Sequence, residues 1–243
     1  AAVQQLKAET DFRGVTISWA PDAADSYRVQ RSDGPVFETN VSFIKDPAVK
    51  VGNSYQYQVA ALGWTGKASA PSTIETTPKA PECPPTPPEP TVLLDDLTAL
   101  EVKNGWGKAI AGKSISGGPL QINGKIYARG IGAHAPAVSV YSVPTGATRF
   151  VAVVGLDDAV KRDGRASVVF QVYGDMKEMG EKPVLIGESP VLSDKTVRFW
   201  AFNLELNTRF KQLRLVVTDA GDGYSADHAD WVDAGFISAA QNP

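Results

Sequence analysis

The 243-residue chain is short of the residue types that most often carry chemistry: it has one cysteine and two histidines. A single cysteine, Cys83, excludes an internal disulfide framework and a cysteine-rich zinc site. Two histidines, His134 and His228, exclude a histidine-rich metal centre. No apolar run approaches the ~20 residues that span a bilayer, so no membrane insertion is expected. The net charge of −3 provides no basic field for nucleic acid or an anionic membrane surface. There is no Gly-x-Ser-x-Gly elbow, no His-Glu-x-x-His and no cysteine near a histidine. Carboxylates and a histidine can perform acid–base work in principle, but no catalytic constellation is formed by spacing. A helical stripe is missing too: no stretch of ten residues keeps a 3.6-residue period free of turn signals or β-branched clusters. Ala1-Ala2-Val3 opens without a charged and apolar leader, which reads as a mature or trimmed start.

Proline, by contrast, is concentrated. The segment "PKAPECPPTPPEP", Pro78 to Pro90, holds seven of the chain's 17 prolines. With φ fixed and the amide donor removed, it can form neither a helix nor a central strand. An extended spacer of ~40 Å is expected, at ~3.1 Å per residue, with Cys83 exposed in it. The predicted organisation is a first module over 1–78, a proline-rich linker over 79–91 and a larger module over 92–243. In the first module "VTISW" and "YQYQVAAL" alternate with period two and are separated by turn-rich segments, as in a half-buried antiparallel sandwich. These stretches, with "SWAPDAADSYRVQRSDG" and "GNSYQYQVAAL", resemble the second, third and sixth strands of a fibronectin type III module, which implies a spacer or adaptor.

Downstream, "RFVAVVGL" and "RASVVFQVYG" are apolar at nearly every position, as suits strands covered on both faces. "TVRFWAFNLEL" and "QLRLVVTD" continue the pattern, so a second, larger β-sandwich of jelly-roll type is expected. Within it, "ARGIGAHAPA" fits the glycine-rich pattern Gly130-x-Gly132-x-x-Ala135 of a dinucleotide-binding loop. That fingerprint works only where the loop opens a helix whose amides face the pyrophosphate. Here Pro136 and the strand-like "AVSVYSVP" follow. The nucleotide reading fails, and the glycines are better suited to tight strand entry or close backbone packing.

The segments "LLDDL", "NGWG", "ARGIGAHAPAVSVY", "FVAVVGLDD", "SVVFQVYGD" and "LRLVVTDAGDGYSADHADWVDAGFI" resemble, in that order, the NPCBM domains, also classed as carbohydrate-binding module family 51. The resemblance covers about residues 92–238. It implies an all-β, galactose-binding-like jelly roll that attaches to glycans and is appended to secreted glycoside hydrolases. Galactose and related blood-group or mucin-type glycans are ligands in that family. The stretch "VYGDMKEMGEKPVLIGES" departs from the shorter turn typical there.

A sugar presents hydroxyls at its edge and C–H patches on its faces, so its site calls for a loop-borne aromatic with polar side chains close by. Trp106, between two glycines, is the candidate platform, with Asn104 as a nearby amide; plugging the end of the sandwich is the other role open to the indole. His134 and Arg129 are candidate hydroxyl partners, with a buried, carboxylate-satisfied histidine as the alternative. His228, close to Trp231, leans towards structure. Asp158 completes the candidate ligand set. The acidic residues Asp157, Asp222 and Asp227, among Asp219, Asp230 and Asp233, are candidates for a structural calcium ion, or else turn caps.

These readings combine into a non-catalytic fragment of a larger extracellular bacterial protein. Its ligands are terminal galactose or N-acetylgalactosamine (GalNAc) on mucin-type or blood-group glycans, and its covalent partner is the catalytic domain of a parent glycan-degrading enzyme. A spacer or protein-interaction role without sugar binding is the competing function.

Overall fold

The computed structural model describes residues 2–11, 14–160, 164–176 and 182–238. The chain divides into two compact units, Ala1–Pro81 and Glu82–Pro243. The only helical element among the described residues is one 3-10 turn, Leu94–Asp96.

The first unit holds β1 (Lys7–Asp11), β2 (Gly14–Ser18), β3 (Ser26–Arg31), β4 (Val36–Thr39), β5 (Phe43–Asp46), β6 (Tyr55–Leu62) and β7 (Ser72–Thr76). They form a three-stranded sheet, β1-β2-β5, and a four-stranded one, β4-β3-β6-β7, all antiparallel. Alternation sends Val15 and Ile17 of β2, Val29 of β3 and Tyr57 and Val59 of β6 into one core. Trp19 packs edge-on to Tyr27 at 5.0 Å between centroids.

Beside that core lies a buried ion pair. Arg31 Nη1 donates to Asp46 Oδ2 at 2.6 Å, and the Tyr57 hydroxyl donates to the same oxygen at 2.8 Å. Asp46 Oδ1 accepts the Ala48 amide at 3.0 Å. Burial raises the Tyr57 hydroxyl pKa, and its bond to Asp46 adds to the rise. Arg31 also bonds Asp33 through Nε at 2.5 Å and Nη2 at 3.1 Å, so removing the Asp46 charge leaves the buried guanidinium half-paired and weakens the Tyr57 bond, which costs about 2 kcal/mol. Asp46→Asn is therefore expected to lower the melting transition of the first unit and spare that of the second. A coincident pair of melting curves would refute this.

The second unit contains β8 (Val92–Leu93), β9 (Glu101–Lys103), β10 (Leu120–Ile122), β11 (Lys125–Tyr127), β12 (Gly130–His134), β13 (Ala137–Ser142), β14 (Ala147–Leu156), β15 (Ser167–Asp175), β16 (Val184–Glu188), β17 (Leu192–Ser193), β18 (Phe199–Glu205), β19 (Gln212–Thr218) and β20 (His228–Ser238). One sheet runs β12-β20-β14-β18, with β8 added beside β20. The other runs β16-β15-β19-β13-β9, with β17 added beside β15. The all-β sandwich expected from the sequence is what forms. Phe150, Phe170 and Phe202 surround Trp231 in the core at 6.4, 5.0 and 6.1 Å between centroids. From Phe150 to Leu156, β14 is buried at every position. β15 instead alternates between buried and half-buried residues after Val168, so only one of its faces is sealed.

The proline-rich stretch differs from the expected free spacer. From Glu82 it belongs to the second unit, where Pro84, Pro87 and Pro90 wall a cavity of about 190 Å³ together with Tyr127, Val153 and Phe199. Thr91 donates its amide to the Phe236 carbonyl at 2.8 Å. Gly235 makes the close passage possible, because a Cβ there would lie 2.2 Å from the Val92 carbonyl oxygen and 2.8 Å from Pro90 Cβ. The physical reason is that proline removes donors but keeps an apolar ring, and apolar rings gain by covering an exposed sheet face. Cys83 is accordingly half-buried rather than exposed, and burial raises its thiol pKa.

Candidate functional site

Three neighbouring strands build the site from their period-two pattern. In "GIGAH" Ile131 and Ala133 enter the sandwich core, so Gly130, Gly132 and His134 face outward. In "HADWV" Ala229 and Trp231 point inward, leaving His228, Asp230 and Val232 on the outer face. The antiparallel register places His134 opposite His228, Gly132 opposite Asp230 and Gly130 opposite Val232. On the other side of β20, Gly155 pairs with Asp230 and Val153 with Val232. The Asp157 amide donates to the His228 carbonyl at 3.1 Å, extending the first row.

The middle row therefore reads glycine, aspartate, glycine, and loops lie directly on it. A Cβ on Gly132 would sit 2.3 Å from the Ile115 nitrogen, and one on Gly155 would sit 2.5 Å from Ile122 Cγ2. The β10–β11 hairpin turns at Asn123-Gly124, both with positive φ. It seals Leu120 and Ile122 against Val153 and Val232. Beneath this cover Asp230 is fully buried; no side chain among the described residues bonds either oxygen, and the Gln121 backbone is the one hydrogen-bonding group that approaches it. Burial, aided by the nearby Asp157 carboxylate, pushes its pKa up to about 9.

In the first row, at the sheet's end, His134 and Asp157 are buried and His228 is half-buried. The loop before it is clasped to the His134 backbone at both polar atoms: Asn104 Oδ1 accepts the His134 amide at 3.2 Å, and the Gly105 amide donates to the His134 carbonyl at 3.1 Å. Gly105 is needed for this clasp, since a Cβ would meet the Ala135 carbonyl oxygen at 2.5 Å. The clasp delivers Trp106 over the histidines. Its ring stacks on His228 at 5.5 Å with 20° between planes and leans on His134 at 5.9 Å, yet 54% of the residue remains solvent-accessible. Tyr224, 63% exposed, meets His134 edge-on at 6.5 Å. His134 and His228 are themselves 5.1 Å apart.

The histidines differ in their bonds. His134 Nδ1 lies 2.7 Å from the Ala135 carbonyl oxygen. A carbonyl only accepts, so Nδ1 carries the proton and Nε2 of the neutral ring is an acceptor. His228 Nδ1 lies 3.0 Å from Ser116 Oγ. Burial lowers the His228 pKa, the His134 charge adds to that, and Asp157 opposes it. The result is a cluster of aromatic surface edged by groups able to give and take hydrogen bonds.

Trp106, Asn104, His134 and His228 are thus brought together. Arg129 and Asp158 are not part of the ring cluster. Arg129 lies at the far end of β12, about 16 Å of strand from His134, where Nε and Nη2 grip Asp95 at 2.8 and 2.9 Å and Nη2 also reaches Asp96. Its pKa is raised by those carboxylates. Arg129→Ala is expected to lower stability only slightly, as loss of an exposed ion pair does, and to leave hexose affinity within twofold by calorimetric titration. Asp158 Oδ2 accepts the Gly124 amide at 2.6 Å and its other oxygen faces Arg198 at 3.4 Å, so it holds the hairpin turn.

The calcium candidates do not form one ligand set. Asp222 and Asp227 both bond Ser167, through its hydroxyl at 2.7 Å and its amide at 3.0 Å. Asp157 instead accepts the Ala159 amide at 2.8 Å. Among the described residues no three His, Cys, Asp or Glu side chains converge as a metal site. Burial raises Asp227 to about 7, helped by Asp222 and Asp219, and raises Asp157 as well. Tyr224 and Ser116 were not singled out from the sequence, because irregular loops give no periodic signal. In the departing segment after Gly174-Asp175, residues 177–181 lie outside the described residues.

Similar proteins are known. A putative endo-alpha-N-acetylgalactosaminidase of Renibacterium salmoninarum is 28% identical over 202 residues, covering 80% of this chain and 12% of that protein. Alpha-1,3-galactosidase B of Akkermansia muciniphila is 30% identical over 129 residues, covering 52% of this chain and 15% of that protein. The chain thus spans only a small fraction of these relatives. Among solved structures, CBM51 from Clostridium perfringens GH95 in complex with methyl-galactose is 27% identical, with a TM-score of 0.52, covering 60% of this chain and 99% of that one. CBM51-2 with the INT domains of Clostridium perfringens ZmpB, in complex with GlcNAc, matches at 22% identity and a TM-score of 0.55, covering 99% and 47%. Residues 90–237, more than half of the chain, match the NPCBM/NEW2 domain model, and the chain belongs to the NPCBM/NEW2 domain family.

Proposed function

We propose that the second unit binds a terminal galactose or GalNAc residue in the cleft of Trp106, His134, His228 and Tyr224. The observation that carries this reading is a half-exposed indole fixed over two histidines. Galactose, with its axial O4, offers a continuous C–H face to an aromatic platform. Its hydroxyls can meet the acceptor Nε2 of His134 and the amide of Asn104. The methyl-galactose complex of the similar GH95 module supports the choice of sugar. The two glycosidases among the relatives support a role in holding a secreted bacterial enzyme on mucin-type glycans. The seven strands of the first unit, split three and four between its sheets, support a fibronectin-like adaptor.

A shallow cleft of this kind makes few contacts, so a Kd of about 0.1–1 mM for a monosaccharide is expected. Avidity on a multivalent surface would raise retention without any new contact. A glycan array, followed by calorimetric titration with methyl-galactose, GalNAc and GlcNAc, tests the assignment; a blank array overturns it. The His228 pKa lies below the ordinary histidine value. Binding should therefore hold through neutral pH and weaken only in more acidic solution, below the ordinary histidine range, as the ring protonates. A loss on the alkaline side instead would remove the neutral imidazole from the account.

A further inference from the structure

We infer a second saccharide platform on the first unit, formed by Trp64 and the groove beside it. Trp64 stands in "GWTG", the tight connection that follows β6, and is 89% exposed, the largest exposure among the big apolar side chains of the described residues. An indole left in water forgoes the stabilisation that burial would give it. The loop that carries it is rigidly closed: the Gly63 amide donates to the Lys67 carbonyl at 3.1 Å, and the Gly66 amide donates to the Gly63 carbonyl at 2.7 Å. Gly66 has a φ of +75°, which the turn requires. The ring is presented by a fixed hairpin tip.

The ring borders an open groove of about 720 Å³, whose other walls include Asp22, Ala24, Thr65 and Lys67. Asp22 is held ready. Its Oδ1 accepts the Tyr27 hydroxyl at 2.8 Å and the Ala24 amide at 2.9 Å, so Oδ2 is the oxygen a ligand hydroxyl would meet. Those bonds, the tyrosine's foremost, hold the carboxyl below the ordinary carboxylate range. Thr65 and Lys67, on the same loop as Trp64, also line the groove. One flat apolar ring, one fixed carboxylate acceptor and cationic and hydroxyl donors around an open trough suit a pyranose: C–H face on the indole, hydroxyls to the charged edge. A purely apolar partner would leave Asp22 and Lys67 facing a surface that could not bond them. The ligand class is therefore a hexose unit of a glycan chain, which an open groove admits within the chain as well as at its end. This inference stands apart from the Trp106 cleft, since it uses different residues on a different unit.

The test uses the full chain. Wild type, Trp64→Ala, Trp106→Ala and the double variant are compared on immobilised mucin and on a glycan array carrying galactosides, N-acetylglucosaminides and mannosides. The Trp106→Ala chain is expected to keep glycan-dependent binding, and adding Trp64→Ala should weaken it at least tenfold, with unchanged melting curves. Equal residual binding in those two chains, or none in Trp106→Ala, overturns the inference. Self-association that Trp64→Ala abolishes, without any glycan signal, would identify a second copy of the chain as the occupant and overturn it too. Failure of the Trp106 cleft shows separately, as equal binding by wild type and Trp106→Ala.

Discussion

Replacing Trp106 by alanine is expected to remove the methyl-galactose binding that titration can measure, leaving only the avidity-dependent glycan retention of the first unit, and to keep the melting curve of the second unit within about 2 °C of wild type. The indole is half in solvent, so its loss opens no core cavity, and the core aromatics around Trp231 lie on the other face of the sheet. Buried tryptophan contacts in binding sites commonly carry about 2 kcal/mol or more. A loss of that size from a complex of ~5 kcal/mol is about thirtyfold, which moves a sub-millimolar Kd beyond the reach of titration. Phenylalanine at this position should recover part of the affinity, since it restores an aromatic face of smaller area. The stacking of Trp106 on His228 adds a further expectation. His228→Ala should weaken binding by about tenfold through a loosened indole, even for a sugar that lacks a hydroxyl in reach of the imidazole. Calorimetric titration with methyl-galactose reads all three variants. Wild-type affinity in Trp106→Ala would place the sugar elsewhere on the module.

Much of this site could be read from alternation alone. Once "GIGAH" and "DHADW" are taken as neighbouring strands with Trp231 inward, parity sets the histidines on the opposite face from the core, and the structure aligns them in one row. The same parity argues against Arg129. It lies an odd number of residues from His134 and five positions along the strand, and nearness in sequence concealed that distance. Trp106 was legible as a loop aromatic between glycines. What the sequence withheld was its clasp to His134, because a contact 30 residues apart depends on how the sheet closes.

The rest was hidden for other reasons. Proline spacing shows that a segment is extended and says nothing of what it lies against, so the packing of Pro84, Pro87 and Pro90 on the second unit had no local sign. Its one trace was Gly235, a glycine inside a strong strand where a backbone must pass. The Asn123-Gly124 pair between "LQI" and "KIY" was a readable hairpin signal. That short hairpin explains how an aspartate in the middle of a sheet can lie wholly out of water.

Stability should fall as pH rises from about 4 to 9, and Asp230→Asn should remove the upper part of the fall. The native Asp230 carboxyl keeps its proton up to about pH 9, whereas an unfolded aspartate releases it near 4. Between those values the native state binds more protons than the unfolded state, so the unfolding free energy declines with pH. Below about pH 4 both states are protonated and this group has no influence. Asp227, raised to about 7, contributes in the same direction between pH 4 and 7, which leaves the interval from 7 to 9 to Asp230. Each pH unit across the window is worth at most about 1.4 kcal/mol for each of the two groups. Water reaching the ion in locally opened states reduces the total, so we expect a loss of about 3 kcal/mol between about pH 5 and 9 in the wild type. The side-chain amide that Asp230→Asn introduces resembles the neutral acid in size and cannot ionise. The variant should match the wild type within about 1 kcal/mol at pH ~5 and exceed it by about 2 kcal/mol at pH ~9. Urea unfolding followed at both pH values decides the matter. Parallel pH profiles for the two proteins would mean that the buried carboxyl is ionised in the native state. The glycine-flanked pocket beneath the hairpin would then have to solvate a charge that no described side chain meets.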